Sequence, residues 1–274
     1  MTADVGFCST TNNPDVNYRN LEVACKLAEK AGATTCLITG KGEPTLYPDL
    51  ITKYIEVAKD YFPFIELQTN GMKLNRLGST TYIDKHDIAP RQTSYLDLWY
   101  ELGLTTICLS AVSTENWQNR QIYGEKYPLI SPLAKKLTDR GFTVRLSIMM
   151  LKDYIYLPKH IENLINFCKL NDCKQLTIRP IARPDNIESG VAKWIDEHAP
   201  DDNELLTIKH FIQDNATPVM KLAHGATVYD YKGQNICLAN CLTTNETDEN
   251  IRQIIFYPDG TIGYDWKYKG AVLL

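Results

Sequence analysis

Helical and β periodicities alternate along this chain. A phrase of amphipathic helix, break and β-branched run recurs in "LAEKAGATTCLIT", "WYELGLTTICLS", "KLTDRGFTVRLSIM" and "FCKLNDCKQLTIRPI". In the first three, Gly32, Gly103 and Gly141 stand where a left-handed cap ends a helix, and Asn171 or Asp172 takes that place in the fourth. Helix starts are marked as well. Ser131 before Pro132 reads as an N-cap with a first-turn proline, Pro48 and Pro158 open two more helices, and Asp201 or Asp202 precedes another. With "FIELQTN" included, parallel strands are predicted near residues 34–39, 64–69, 105–111, 143–150 and 175–181. Strands that alternate with helices favour right-handed βαβ crossovers, so the fold class is α/β with a parallel sheet. Ligands of such sheets bind at the carboxyl ends of the strands, which directs attention to the residues following each one.

Past about residue 216 the pattern changes. "IRQIIFYPDGTIGYDW" reads as two strands joined by Pro258-Asp259-Gly260, a β-hairpin. Two regions are expected: 1–215, the βα array, and 216–274, a C-terminal extension carrying this hairpin and the "CLANC" cysteines. Hydrophobic residues at 44% and charged residues at 23% are ordinary globular values, and a net charge of −4 offers no broad attraction for nucleic acid. The apolar stretches are too short to span a bilayer and the N-terminal residues carry no signal core, so no membrane partner is indicated and a cytoplasmic location is expected. Eight cysteines in 274 residues are too sparse for a disulfide scaffold. Cys25 in a helix pattern and Cys36 and Cys108 in strands read as buried thiols.

After the first strand comes Gly40-Lys41-Gly42-Glu43-Pro44. Glycines let the backbone approach a ligand, Pro44 stiffens the turn, and Glu43 offers an anionic acceptor suited to an ammonium group. A tight loop with a solvated acid is the alternative. A dinucleotide fingerprint is disfavoured, because Thr45 replaces its third glycine and Pro44 removes an amide that a pyrophosphate would use. "QTNG" follows the next strand, Ser110 and Ser113 end the third, and Arg145 and Ser147 share one face of the fourth by their spacing of two. Arg145 and Arg179 each suit either a ligand carboxylate or a structural ion pair.

Taken in order, "GKGEP", "TNG", "LSAVS" with its downstream "YGEKY", and "TIRPI" resemble the radical S-adenosylmethionine superfamily over roughly residues 6–182. The resemblance implies a partial (βα)6 TIM-like barrel and reductive cleavage of S-adenosylmethionine at a [4Fe-4S] cluster. It implies cofactor contacts from Gly40, Gly42, Glu43 and Pro44, with Glu43 receiving the methionine ammonium group, and from Ser110. Asn70 and Ser147 complete the expected contacts, with Glu43, Asn70, Ser110 and Ser147 on one rim. A flavodoxin or ferredoxin would be the reductant, and the substrate is unknown.

The superfamily's cluster motif is CxxxCxxC, and here "MTADVGFC" stands in its place. Cys8 matches the third cysteine, while Val5 and Met1 occupy the other two positions, and neither replaces a thiolate. The strand that would precede the motif is also missing from the sequence. A truncated copy, a protein that has lost its cluster and recruitment of cysteines from elsewhere are the competing explanations. Cys237 and Cys241 are candidates for an auxiliary metal site, against a role in core packing. A non-catalytic protein that keeps the fold for binding is the rival reading. An ordinary methyltransferase is disfavoured because no glycine-rich loop follows an initial strand.

Overall fold

The computed structural model describes residues 15–40, 42–79, 81–82, 93–181, 190–222, 226–239, 253–265 and 270–274. Its elements begin with α1 (Tyr18–Lys30), β1 (Thr35–Ile38), a 3-10 turn (Pro44–Leu46), α2 (Pro48–Ala58) and β2 (Phe64–Thr69). Next come α3 (Leu74–Leu77), β3 (Thr81–Tyr82), β4 (Thr93–Ser94), α4 (Tyr95–Leu102), β5 (Thr106–Ala111), α5 (Asn116–Tyr123) and α6 (Ile130–Thr138). β6 (Thr143–Met150), α7 (Pro158–Leu170), β7 (Gln175–Pro180), α8 (Gly190–His198) and α9 (Asp202–Asn215) follow. The chain ends with β8 (Thr217–Lys221), β9 (Thr227–Tyr231), β10 (Gln234–Leu238), β11 (Ile255–Phe256) and β12 (Ile262–Gly263). The parallel strands predicted from the sequence all form, within a residue or two of the expected bounds. Gly32, Gly103 and Gly141 adopt the expected positive φ, and Asp172 does so in the fourth repeat at φ 54°. The helix expected at Ser131 starts earlier: α6 is capped at Leu129, and Ser131 Oγ instead donates to Asn171 Oδ1.

The chain forms two compact units. The first comprises the chain up to Thr69, Lys73–Ile107 and the stretch from Thr247 onward. Within it β1 and β2 run parallel, in register from Thr35↔Phe64 to Ile38↔Leu67. Ile51 and Ile55 of α2 and Leu96 and Trp99 of α4 are sealed in the core. Trp99 buries a large ring without stranding its indole, because Nε1 donates to Thr52 Oγ1 at 2.9 Å. The C-terminal hairpin, β11 with β12, belongs to this unit and is tied to the start of α1. Asn17 N donates to the Pro258 carbonyl at 3.1 Å and Asn20 Nδ2 to the Gly260 carbonyl at 2.8 Å. Gly260 has φ +96°, and a Cβ there would lie 2.8 Å from Asn17 Nδ2, so both conformation and space demand glycine.

The second unit takes Asn70–Met72 and the chain from Cys108 to Glu246. Its strands lie in the order β5-β6-β7-β10-β9-β8. β6, β7 and β10 are parallel, and β9 and β8 are antiparallel additions. These last strands were not anticipated individually. Their signal lies in "YKGQ": Lys232 at φ 50° and Gly233 at φ 85° make the paired left-handed turn that joins β9 to β10. α6 and α7 cover one face of the sheet. Val144, Leu146 and Ile148 of β6 and Leu176 and Ile178 of β7, all wholly buried, point toward them. By the two-residue period of a strand, Arg145, Ser147 and Met149 share the opposite face with Gln175, Thr177 and Arg179.

α7 opens at Pro158, and two amides before it, Tyr156 N and Leu157 N, donate to His160 Nδ1, each at 3.3 Å. That acceptor exists only on neutral imidazole. Burial, helped by Lys159, lowers the His160 pKa below its ordinary 6.5. The unfolded chain therefore takes up this proton first as pH falls. The stabilisation is complete above about 6.5 and is lost as pH drops toward the lower folded value. Proton NMR of the His160 ring should give a midpoint below 6.5 in the folded protein; a midpoint at or above it would count against the capping role.

Candidate functional site

In the first unit the turn after β1 is organised by a single carboxylate oxygen. Glu43 caps the 3-10 turn, and its Oε1 accepts from Thr45 N at 3.0 Å, Thr45 Oγ1 at 2.5 Å and Thr69 Oγ1 at 2.6 Å. Thr45 and Thr69 are buried, whereas Glu43 is only partly so. Three donors on one oxygen fix the carboxylate at the adjoining ends of β1 and β2, so an approaching cation meets a group with little rotamer freedom left to lose. Pro44 occupies the first position of the turn. Gly42 is exposed, and a Cβ built on it would meet nothing within 4 Å, which leaves room for a ligand beside the carboxylate. Gly40 is also exposed, and Lys41 lies outside the described residues.

Sequence reasoning singled out Glu43 but not the threonines that hold it. It also missed Glu66, an acid 6% exposed on β2 whose Oε1 accepts from Gln68 Nε2 at 3.2 Å. Gln68 in turn receives Thr39 Oγ1 at 3.2 Å, extending a row of polar side chains from β2 to the end of β1. The alternation of Glu66 and Gln68 with Ile65 and Leu67 was the available signal.

The remaining candidates belong to the second unit. Asn70 Oδ1 accepts from Met72 N at 3.0 Å, closing a local turn, and Gly71 follows at φ +77°, where a Cβ would come within 2.9 Å of Leu133 Cδ2. Ser110 is partly exposed near the end of β5, and its carbonyl accepts from Tyr127 Oη at 2.6 Å. Tyr127 stacks on Tyr123 with ring centroids 4.9 Å apart. Burial raises both phenols. Tyr123 is pushed up to about 12, with Arg179 pulling it down and Cys108 adding slightly to the rise. Ser147 is 3% exposed and accepts from Arg179 Nη2 at 2.8 Å, so its hydroxyl orients a guanidinium. Arg145 Nε donates to Cys108 Sγ at 3.4 Å. Cys237 sits in an apolar cluster with Ala226, Val228 and Ala239, the surroundings of a packing thiol. Cys8 and Cys241 lie outside the described residues.

Among the described residues no three His, Cys, Asp or Glu side chains converge to hold a metal. The described cysteines are dispersed over helices and strands, and Cys25, Cys108, Cys168, Cys173 and Cys237 are buried. Burial pushes Cys25 up to about 11 and Cys36 up to about 12, the reverse of what a thiolate ligand requires. The described residues thus fit the amino group of the expected cofactor at Glu43 but do not fit a [4Fe-4S] cluster.

No protein-family model matches the sequence, and no curated protein matches it. Solved structures do. SuiB from Streptococcus suis superposes with a TM-score of 0.55 at 17% identity, over 96% of this chain and 57% of SuiB. The chain shares the fold of SuiB. A structure of SuiB bound to S-adenosylmethionine gives 0.47 at 18% identity, over 78% of this chain and 43% of SuiB. Coproporphyrinogen III oxidase (HemN) from Escherichia coli, a radical SAM enzyme, gives 0.45 at 15%, over 73% of this chain and 46% of HemN. This chain therefore spans little more than half of SuiB, and at such identities the likeness concerns the fold alone. The α/β class with a mostly parallel sheet expected from the sequence is found, and a partial barrel is consistent with it.

The loop leaving β5, at the strand end where ligands of this fold class bind, hangs on one side chain. Asn119, wholly buried, donates through Nδ2 to the Ser113 carbonyl at 2.7 Å and the Glu115 carbonyl at 3.1 Å, and its Oδ1 accepts from Val112 N at 2.9 Å. Replacing it by leucine strands these backbone groups, so Asn119→Leu should destabilise the protein by about 2–4 kcal/mol. Chemical denaturation measures this, and a loss below about 1 kcal/mol would mean that the loop is held by other contacts.

Proposed function

We propose that this protein binds S-adenosylmethionine through the Gly40–Pro44 turn, as a radical SAM-type protein acting on a substrate not yet known. The observation that carries the reading is the Glu43 carboxylate, held by Thr45 and Thr69 beside the open space at Gly42. Its charge and position suit the methionine ammonium group, with Gly40 and Gly42 admitting the ligand's backbone-like portion and Pro44 limiting the turn's alternatives. Ser110 is assigned to the methionine or ribose portion. Asn70 and Ser147 are assigned to the remaining cofactor contacts.

Isothermal titration with S-adenosylmethionine tests the assignment. Glu43→Gln keeps an oxygen to accept from Thr45 and Thr69 while removing the charge, so it separates ligand binding from turn capping. Affinity should fall about tenfold to a hundredfold, the loss of one charge-assisted hydrogen bond. Equal affinity in the two proteins would remove Glu43 from the cofactor site.

In place of the expected cluster motif the sequence offers one matching thiol, Cys8, and Val5 and Met1 do not substitute for the other two. Reductive chemistry, and with it a flavodoxin or ferredoxin partner, belongs to a form with a complete ligand set. SuiB has been solved with its precursor peptide SuiA, which makes peptides the first substrate class to try. Anaerobic reconstitution with iron and sulfide, read by metal analysis, should give well under the roughly four irons per chain of an intact cluster. Full occupancy would show that ligands from elsewhere complete the site; low occupancy with retained S-adenosylmethionine binding favours the non-catalytic reading.

A further inference from the structure

In the second unit, α9 covers one face of the terminal strands only in part. Thr227, Tyr229 and Tyr231 of β9 share that face by the two-residue period of a strand. Register adds Lys221 of β8 and Leu238 of β10, each paired with Thr227. At one end the helix closes onto the strands, where the Phe211 and Tyr231 rings lie 6.0 Å apart. At the other, where β10 reaches its carboxyl terminus, a cavity of about 320 Å³ opens between helix and strands. Ile212 and Leu238 give it apolar walls, the half-buried Tyr229 lines it with a ring, and Thr227 contributes only a short side chain. Two exposed cations border it, Lys209 from the helix and Lys221 from the edge strand.

The charge around this cavity has one sign. Among the described residues neither lysine makes a side-chain hydrogen bond or ion pair. On α9 the residues three and four positions from Lys209 are Leu205, Leu206, Ile212 and Gln213, so the acids of that helix are not its neighbours on the surface. β8 carries no acid. Asp230 of β9 falls on the opposite face, where its Oδ1 accepts from Gly233 N at 2.9 Å, and Glu162 of α7 lies 3.5 Å from the Tyr231 hydroxyl at the closed end. Two ammonium groups beside an apolar wall therefore hold a local positive field in a chain of net charge −4.

We propose that this cavity binds a small amphiphilic anion, with its apolar body against Ile212, Leu238 and Tyr229 and its carboxylate or phosphate head at Lys209 and Lys221. At about 320 Å³ the cavity stands at the small end of ligand pockets, which run from roughly 300 to 1,000 Å³, so it admits a short chain or a single ring. Lysine ammonium groups are compact point charges on flexible stems, and they select a head group by charge rather than by planar shape. Every residue of the site belongs to the second unit, so the site does not rest on the cofactor reading at Glu43.

The test titrates the full chain, labelled at its isoleucine and leucine methyl groups, with octanoate and with octyl phosphate below their micelle concentrations, and follows the methyls by NMR. Ile212 and Leu238 should shift saturably, and the tighter of the two ligands names the head group. Octylamine, with the same tail and the opposite charge, should leave them unmoved. The double variant Lys209→Gln, Lys221→Gln should bind about fivefold to tenfold more weakly, the loss of two exposed charge contacts. Added salt should weaken the parent and barely affect that variant. Thr227→Phe fills the cavity and should abolish binding. Both lysines are exposed, so the double variant keeps its fold, which circular dichroism checks, and it carries the test if Thr227→Phe does not fold. The proposal is overturned if neither anion moves these methyls, if octylamine moves them equally, or if the folded double variant or folded Thr227→Phe binds as tightly as the parent.

Discussion

A strand in a parallel sheet presents its side chains alternately to two faces, and in this protein helices claim one of them. Once α6 and α7 seal Val144, Leu146, Ile148, Leu176 and Ile178, every intervening residue of β6 and β7 must face the other way. Arg145, Ser147, Gln175, Thr177 and Arg179 are therefore delivered to one surface by packing alone. A shift of one residue in register would send two guanidiniums into the apolar layer, so the hydrophobic core and the polar face specify each other.

The same economy governs the turn after β1. Glu43 is at once a cap for the 3-10 turn, a clasp to Thr69 on β2 and a charge at the strand end. A carboxylate in free solvent would pay for being ordered when a ligand arrives, whereas here folding has already ordered it. Asn119 does similar work for the loop after β5, where one amide side chain satisfies three backbone groups. Irregular segments at strand ends need such anchors because they lack ladder partners of their own.

The cysteines divide along a different line. Those in the described residues sit where small apolar side chains belong; burial holds the thiols of Cys25 and Cys36 in the protonated form, and a hydrogen bond with Cys173 together with burial does so for Cys168. Cys237, expected either in an auxiliary metal site with Cys241 or in core packing, lies on β10, and Cys241 lies outside the described residues. Its CxxxC pair looks like half of a site, yet its neighbours are Ala226, Val228 and Ala239. Its strand pairs with β7 and β9.

Much of the architecture was legible in the chain itself. The period change from helix to strand, the glycines at positions 32, 103 and 141, and the prolines that open α2 and α7 are local signals, and local sterics enforce them. The turn at Glu43 was legible for the same reason, because glycine and proline bracket the acid where a strand ends. The roles of Thr45, Thr69, Asn119 and Ser147 were not, since each depends on a partner that the fold alone brings near. Thr69 reaches Glu43 across 26 positions and Arg179 reaches Ser147 across 32. Sequence determined which faces are apolar and where the chain turns, through backbone sterics and hydrophobic period. Only the tertiary structure decided which hydroxyl serves a carboxylate, which serves a guanidinium and which arginine stands at the strand end, because hydrogen bonds act over about 3 Å and sequence distance says nothing of that.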